Sequence, residues 1–235
     1  VNEHLCVLSS MFNAAVRWGY MHANPCHGVS RLRLPPQEFR YYDRAQTEKF
    51  LDTMKRLRPG YYAFFATAFK TGMRLGELLG LEWGDIDFNN RRILLSRSHS
   101  EGHTTTPKSG KPRIIPISQA LVDILKAHRH LRGPLVFCGP AGGHLTRDMV
   151  KHPLDDVSRA AGLHRIRIHD MRHSFASQLV IAGVPLKGIA ELLGHSETRI
   201  TERYAHLSPP DLQSYVDLLD DCSAIGPKAS LAAKP

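Results

Sequence analysis

Apolar residues recur at helical spacing along most of the chain, in blocks set apart by glycine, proline and small polar residues. In residues 4 to 21, Leu5, Leu8, Phe12, Ala15 and Val16 mark one face of an amphipathic helix that frays at Trp18-Gly19-Tyr20. The stretch NPCHGVSRLRLPPQEFR follows, and its Pro25, Pro35 and Pro36 read as a linker. Residues 1–34 therefore read as the end of a helical module whose earlier part is absent, with a helix packed on the main domain as the alternative.

From Tyr42 the pattern predicts successive helices. Asp43 caps one that runs to about Leu57, and Pro59-Gly60 breaks the chain before an apolar helix through Phe69. In KTGMRLGELLGLEWGDIDF, Gly72 and Gly76 frame Arg74 at the start of a short helix through Leu81. Asn89-Asn90 is a turn, RRILLSRSHS has strand character, and PRIIPIS is a second strand after the loop EGHTTTPKSGK. Residues 118–130 and 146–161 are two more helices. A further helix starts near His169, with Met171, Phe175, Leu179 and Ala182 as its buried stripe, and ends at Gly183 and Pro185. The next turns Leu186, Ile189, Leu192 and Leu193 inward and stops at Gly194. Two short strands among many helices make the fold mainly α with a small antiparallel β-sheet, an α+β arrangement.

With 235 residues, 42% of them hydrophobic, the chain can bury a large core. No apolar run approaches the roughly 18 residues of a membrane span, and VNEHLCVLSS lacks the features of a signal peptide, so a soluble, cytoplasmic protein is expected. Cys6, Cys26, Cys138 and Cys222 are widely scattered and read as reduced, buried thiols. A formal charge of +9, dispersed along the chain, favours a folded basic face and a polyanionic partner.

The candidate chemistry gathers in HDMRHSFASQLVIAGVPLKGIAELLGHSETRITERYAH. His169 and Arg172 lie one helical turn apart, His195 sits in a helix-terminal turn, and Tyr204 follows in a polar run. Three readings compete. His169 and His173 share the i, i+4 spacing of a zinc-peptidase helix, but Asp170 stands where that motif needs glutamate and Arg172 sets a cation against the metal. The run IAELLGHSETRITERYAH fits a helix-turn-helix DNA reader, which leaves Arg74, Lys108 and Arg172 incidental. The third reading is phosphoryl transfer with Tyr204 as nucleophile. Arg74 and Arg172 then neutralise the phosphate, His169 or His195 assists the phenol, and Lys108, on a hairpin tip, supplies a proton. Each residue also has an ordinary role: Arg74 paired with Glu77, Lys108 solvated at a loop.

In order along the chain, TGMRLGELLGLEW, PKSGKPRIIPI, HDMRHSFAS, LGHS and TERYAHLSP resemble the motifs of the tyrosine recombinase (phage integrase) family, over about residues 40 to 215. The resemblance implies a catalytic domain over 40–222 and a core-binding-domain remnant over 1–34, while the tail over 223–235, small and polar, reads from its composition as disordered or an interaction arm. It also implies six active-site positions: Arg74, Lys108, His169, Arg172, His195 and the nucleophile Tyr204. The implied activity is cleavage and rejoining of double-stranded DNA through a 3′-phosphotyrosyl intermediate, with no cofactor and no metal. A homo-tetramer on DNA is implied too, in which PPDLQSYVDLLDD, apolar through Leu212, Tyr215, Val216 and Leu219, docks on a neighbouring protomer.

Overall fold

The computed structural model describes residues 1–33, 40–100, 102–105, 112–195 and 199–207, with the backbone alone for Arg199 and Ile200. The chain divides into two compact units, the boundary falling between Phe39 and Arg40. In the first, helix α1 (Asn2–Arg17) buries none of its residues, and Val7 and Met11 stay exposed. Its return segment is tied back by side chains. Asn24 donates to Ser9 O (3.1 Å) and Asn13 Oδ1 (2.8 Å), and Asn2 exchanges two 2.9 Å hydrogen bonds with the backbone of Leu32.

The second unit is built on α2 (Arg44–Leu57) and α3 (Pro59–Thr71). Asp43 caps α2 in a reciprocal box with Gln46, which satisfies two backbone donors that the first helical turn leaves open. The expected break falls at Arg58, and Pro59 is already the first residue of α3, where a missing N–H costs nothing. The middle of α3 is buried all round, because α2, α5 (Gln119–His128) and α7 (Asp170–Ile181) pack against it. Phe50, Phe64, Phe65 and Phe69 fill this core; each buried phenyl ring contributes about 1.5–3 kcal/mol relative to exposure.

A three-stranded antiparallel sheet, β1 (Ile86–Asp87), β2 (Arg92–Leu95) and β5 (Arg113–Pro116), has the order β1-β2-β5. Its register pairs Ile93 with Ile115 towards the core and Leu94 with Ile114 towards solvent. Between β2 and β5 the expected loop contains strand structure. β3 (Ser98–Ser100) and β4 (His103–Thr105) form a separate antiparallel pair, so RRILLSRSHS is two strands. After α6 (Arg147–Ala160) come α7, α8 (Leu186–Leu193) and the short α9 (Arg199–Glu202).

Two further expectations change. The predicted stripe of α7 is partly wrong: Met171 is buried, but Phe175 and Leu179 are only half-buried and Ala182 is exposed. Arg172, His173, Ala176 and Val180 are buried instead, because α3 and α8 cover this helix on more than one side. Cys6 is exposed, and Cys26 and Cys138 are half-buried, all three being free, so the thiols are not core residues. Among the described residues no helix is long and apolar enough to cross a membrane. Cys222, the segment 209–221 and the tail 223–235 lie outside the described residues.

Candidate active site

The left-handed turn at Gly72 (φ 62°) ends α3 and aims the chain so that Arg74 caps the short α4 (Leu75–Leu79) in an extended conformation. A Cβ on Gly72 would lie 2.5 Å from Phe175 Cδ1 and 2.8 Å from Leu193 Cδ2, so α3, α7 and α8 meet closely at this turn. Arg172, on the first turn of α7 and 3% exposed, reaches into that junction. Its Nη1 donates to Gly72 O (2.8 Å) and its Nη2 to Leu193 O (2.7 Å). Arg74 Nη2 donates to the next carbonyl, Gly194 O, at 3.4 Å. Two guanidiniums from distant parts of the unit's sequence thus converge on the end of α8, beside His195. Helix-terminal carbonyls have no partner within the helix and carry partial negative charge, so they suit cationic donors.

Glu77 organises the other side. Its carboxylate is 1% exposed and accepts two parallel hydrogen bonds from Arg113, at 2.7 and 2.8 Å, the bidentate geometry that guanidinium and carboxylate favour. Oε1 also accepts from Arg74 Nη1 (3.1 Å) and Oε2 from the Arg74 backbone N–H (2.8 Å). Burial alone raises a carboxyl pKa, but Arg113, through its hydrogen bonds and charge, and Arg74 outweigh it and hold Glu77 below its ordinary value. The ordinary reading of Arg74 as a partner of Glu77 therefore holds together with its convergence on α8. Two guanidiniums share this one carboxylate, and the third, on Arg172, bonds only to backbone carbonyls, which leaves positive charge for an anion.

Burial and the neighbouring charge of Arg74 push Arg172 down to about 9, so it remains a cation at neutral pH. Burial, then the charges of Arg172, Arg74, Arg203 and Arg113, push His195 down to about 4, and its imidazole is neutral at pH 7. His195 Nδ1 meets Thr201 Oγ1 at 2.9 Å, which ties the turn after α8 to α9. His169 stands exposed at the position before α7, with no capping hydrogen bond from its side chain; partial desolvation by its neighbours and the charge of Arg172 lower its pKa.

Tyr204 departs most from the sequence reading. It lies in a polar run, yet it is 2% exposed and packs with Ala176, Val180, Ile189 and Leu193. Its hydroxyl is hydrogen-bonded to Nδ1 of His173, which stands one residue after Arg172. Burial pushes the phenol up to about 12 despite the nearby charges of Arg172 and Arg203. Burial, then the charge of His169, takes His173 down to about 4.

Residues 40–210 match the model of the phage integrase family. The chain belongs to that family. The tyrosine recombinase XerC-like protein of Caldanaerobacter subterraneus subsp. tengcongensis is 29% identical over 252 residues, covering 91% of this chain and 64% of its own length. The ICEBs1 integrase of Bacillus subtilis is 29% identical over 243 residues, covering 94% of this chain and 65% of its own length. The chain thus spans less than two thirds of the length of these two curated relatives. The Tn1549 transposon integrase, solved in complex with a circular intermediate DNA, shares the fold with a TM-score of 0.77 at 20% identity, over 93% of this chain and 78% of that one.

Of the six positions expected to act in this integrase-family chain, Arg74, Arg172 and His195 come together at the end of α8, and Tyr204 is packed against α7 and α8. His169 stands at the start of the helix that carries Arg172. Lys108 lies outside the described residues. Sequence reasoning missed Arg113 and Thr201 as members of the cluster, and singled out His173 only as a possible metal ligand. Arg113 carried a signal: it shares strand parity with the buried Ile115, and a charged side chain on the inward face of a strand needs a buried partner.

Proposed function

We propose that the chain is the catalytic part of a site-specific recombinase that cleaves and rejoins double-stranded DNA through a covalent 3′-phosphotyrosyl intermediate. The observation that carries this reading is the convergence of Arg74 and Arg172 on the successive carbonyls of Leu193 and Gly194, beside His195. A phosphodiester repels nucleophiles by its charge, and two fixed guanidiniums, cationic at neutral pH, offset that charge as it grows in the pentavalent transition state. The phenolic oxygen of Tyr204 attacks phosphorus, the bond to the 5′ oxygen breaks, and Lys108 protonates the leaving oxygen. His169 and His195 add hydrogen bonds to the phosphate oxygens. The phosphotyrosyl bond keeps the energy of the broken linkage, so a 5′-hydroxyl from another duplex reseals it without ATP or metal. Family membership and the shared fold of a DNA-bound transposon integrase support DNA as the substrate.

On the same reading, residues 1–34 are the end of a core-binding domain. The protein works as a homo-tetramer on DNA, and residues 209–221 dock on a neighbouring protomer. The test is a nicked suicide duplex built on a repeat found by sequencing the DNA that flanks the gene. The chain should form a covalent adduct that resists SDS and EDTA, and Tyr204→Phe should bind the duplex without forming it. An adduct formed by Tyr204→Phe assigns the nucleophile elsewhere. Specific binding with no adduct from the unmodified chain makes it a DNA reader of the helix-turn-helix type.

A further inference from the structure

Tyr204 needs to lose a proton as it attacks, and the residue whose nitrogen lies against its hydroxyl is neither His169 nor His195 but His173. We propose that His173 is the proton acceptor for Tyr204 in strand cleavage. This rests on the recombinase reading above.

Three observations support it. Nδ1 of His173 is hydrogen-bonded to the Tyr204 hydroxyl, whereas Nδ1 of His195 meets Thr201. His173 is buried, and the groups that act on it are His169 and Asp170 at the start of α7, Arg167 from the segment before it, and Arg203 with Tyr204 from the segment after α9. Among these neighbours cations outnumber the single carboxylate, and Asp170 is itself held by Arg167 at 3.1 Å, so the imidazole is neutral and keeps a lone pair for the phenol. Finally, His173 follows Arg172 on the first turn of α7. The acceptor and the phosphate-binding guanidinium therefore share one rigid turn, and Tyr204 is packed against the same helix at Ala176 and Val180.

The step balances as follows. The O–H bond of Tyr204 breaks as its oxygen forms the bond to phosphorus, and the proton passes to Nδ1 of His173. The phosphorus to 5′-oxygen bond breaks, and that oxygen takes its proton from Lys108. In rejoining, the incoming 5′-hydroxyl gives its proton to Lys108, the bond from phosphorus to the phenolic oxygen breaks, and His173 returns its proton to Tyr204. Burial disfavours a free phenolate, so proton transfer and attack are concerted.

Single-turnover adduct formation on the suicide duplex tests this with His173→Asn, which keeps a hydrogen-bond acceptor near the Nδ1 position but cannot take a proton. The unmodified chain should react at a rate nearly independent of pH between about 6 and 8, where its acceptor is neutral and Arg172 is still a cation. His173→Asn should be slower at pH 7 by about 10²–10⁴, with duplex binding unchanged, and should gain about tenfold per pH unit as hydroxide replaces the lost acceptor. A His173→Asn rate and pH profile equal to those of the unmodified chain overturn the proposal. If that variant fails to fold, nitrogen NMR of the histidine-labelled unmodified chain decides: an Nε2–H tautomer for His173 at pH 7 supports the proposal, and an Nδ1–H tautomer overturns it. The tautomer is read without DNA. Absence of an adduct from the unmodified chain overturns the recombinase reading itself, and this proposal with it.

Discussion

Glu77 holds Arg113 by two hydrogen bonds of 2.7 and 2.8 Å while the same carboxylate receives the backbone and the guanidinium of Arg74. One buried acid thus fixes the arginine that precedes α4 relative to an arginine of β5. Breaking such a pair leaves buried charge uncompensated, which costs more than the pair itself contributes. Glu77→Gln should lower the unfolding free energy by about 3–5 kcal/mol in urea titrations. A loss under about 1 kcal/mol would mean that solvent or another group takes over the arginines. Because the pKa of Glu77 is depressed, its contribution is present above the unfolded value of 4.5 and is lost as pH falls through the folded value. The variant should lack that acid-side loss.

His173 and His195 act in a higher pH window. Both are pushed down to about 4 in the folded chain from an ordinary 6.5. Between these values the unfolded chain binds more protons than the folded one, so stability falls as pH drops from about 6.5 to about 4. Each histidine contributes a slope of at most about 1.4 kcal/mol per pH unit, the half-buried His195 less. Urea titrations at pH 7, 6 and 5 measure the slope, and His195→Asn should reduce it. An equal slope in that variant would place the titration elsewhere.

Arg172→Lys keeps the charge but loses the planar fork that spans Gly72 O and Leu193 O. Adduct formation on the suicide duplex should fall by about 10² or more, because the ammonium cannot hold both carbonyls and still present donors to the phosphate. Binding measured by gel shift should change little. A variant that cleaves at the original rate would show that a point charge at this place suffices.

Gly72→Ala joins two costs, a left-handed φ of 62° and a Cβ set 2.5 Å from Phe175 and 2.8 Å from Leu193. Together these should destabilise the chain by about 2–4 kcal/mol. The same change displaces the Gly72 carbonyl that holds Arg172, so the adduct yield should drop even at temperatures where the variant stays folded. Stability within about 0.5 kcal/mol of the original would mean that α7 and α8 repack freely there.

Much of the fold was legible because its signals are local. Asp43 with Gln46, Ser118, Thr146, and the left-handed Gly194 mark helix ends with chemistry that neighbours in sequence supply. Helix α7 was read less well. Its period-3.6 pattern is blurred because polar residues are buried on several sides: Ser174 against the backbone of Tyr42, Arg172 against two carbonyls, and His173 against Tyr204. The strand His103–Thr105 was read as loop because its stability comes from pairing with Ser98–Ser100 and not from an apolar face.

By itself the sequence determined the helical order, the basic character and the ordered motifs that carry Arg74, His169, Arg172, His195 and Tyr204, since each rests on residues a few positions apart. Only the tertiary structure decided that Glu77 joins Arg74 to Arg113, that two arginines share the end of α8, and that Tyr204 is buried against His173. The physical reason is that a polar side chain can be buried only where distant segments bring it a partner. Arg113 reaches Glu77 across 36 positions, Arg172 reaches Gly72 across 100, and Tyr204 reaches His173 across 31.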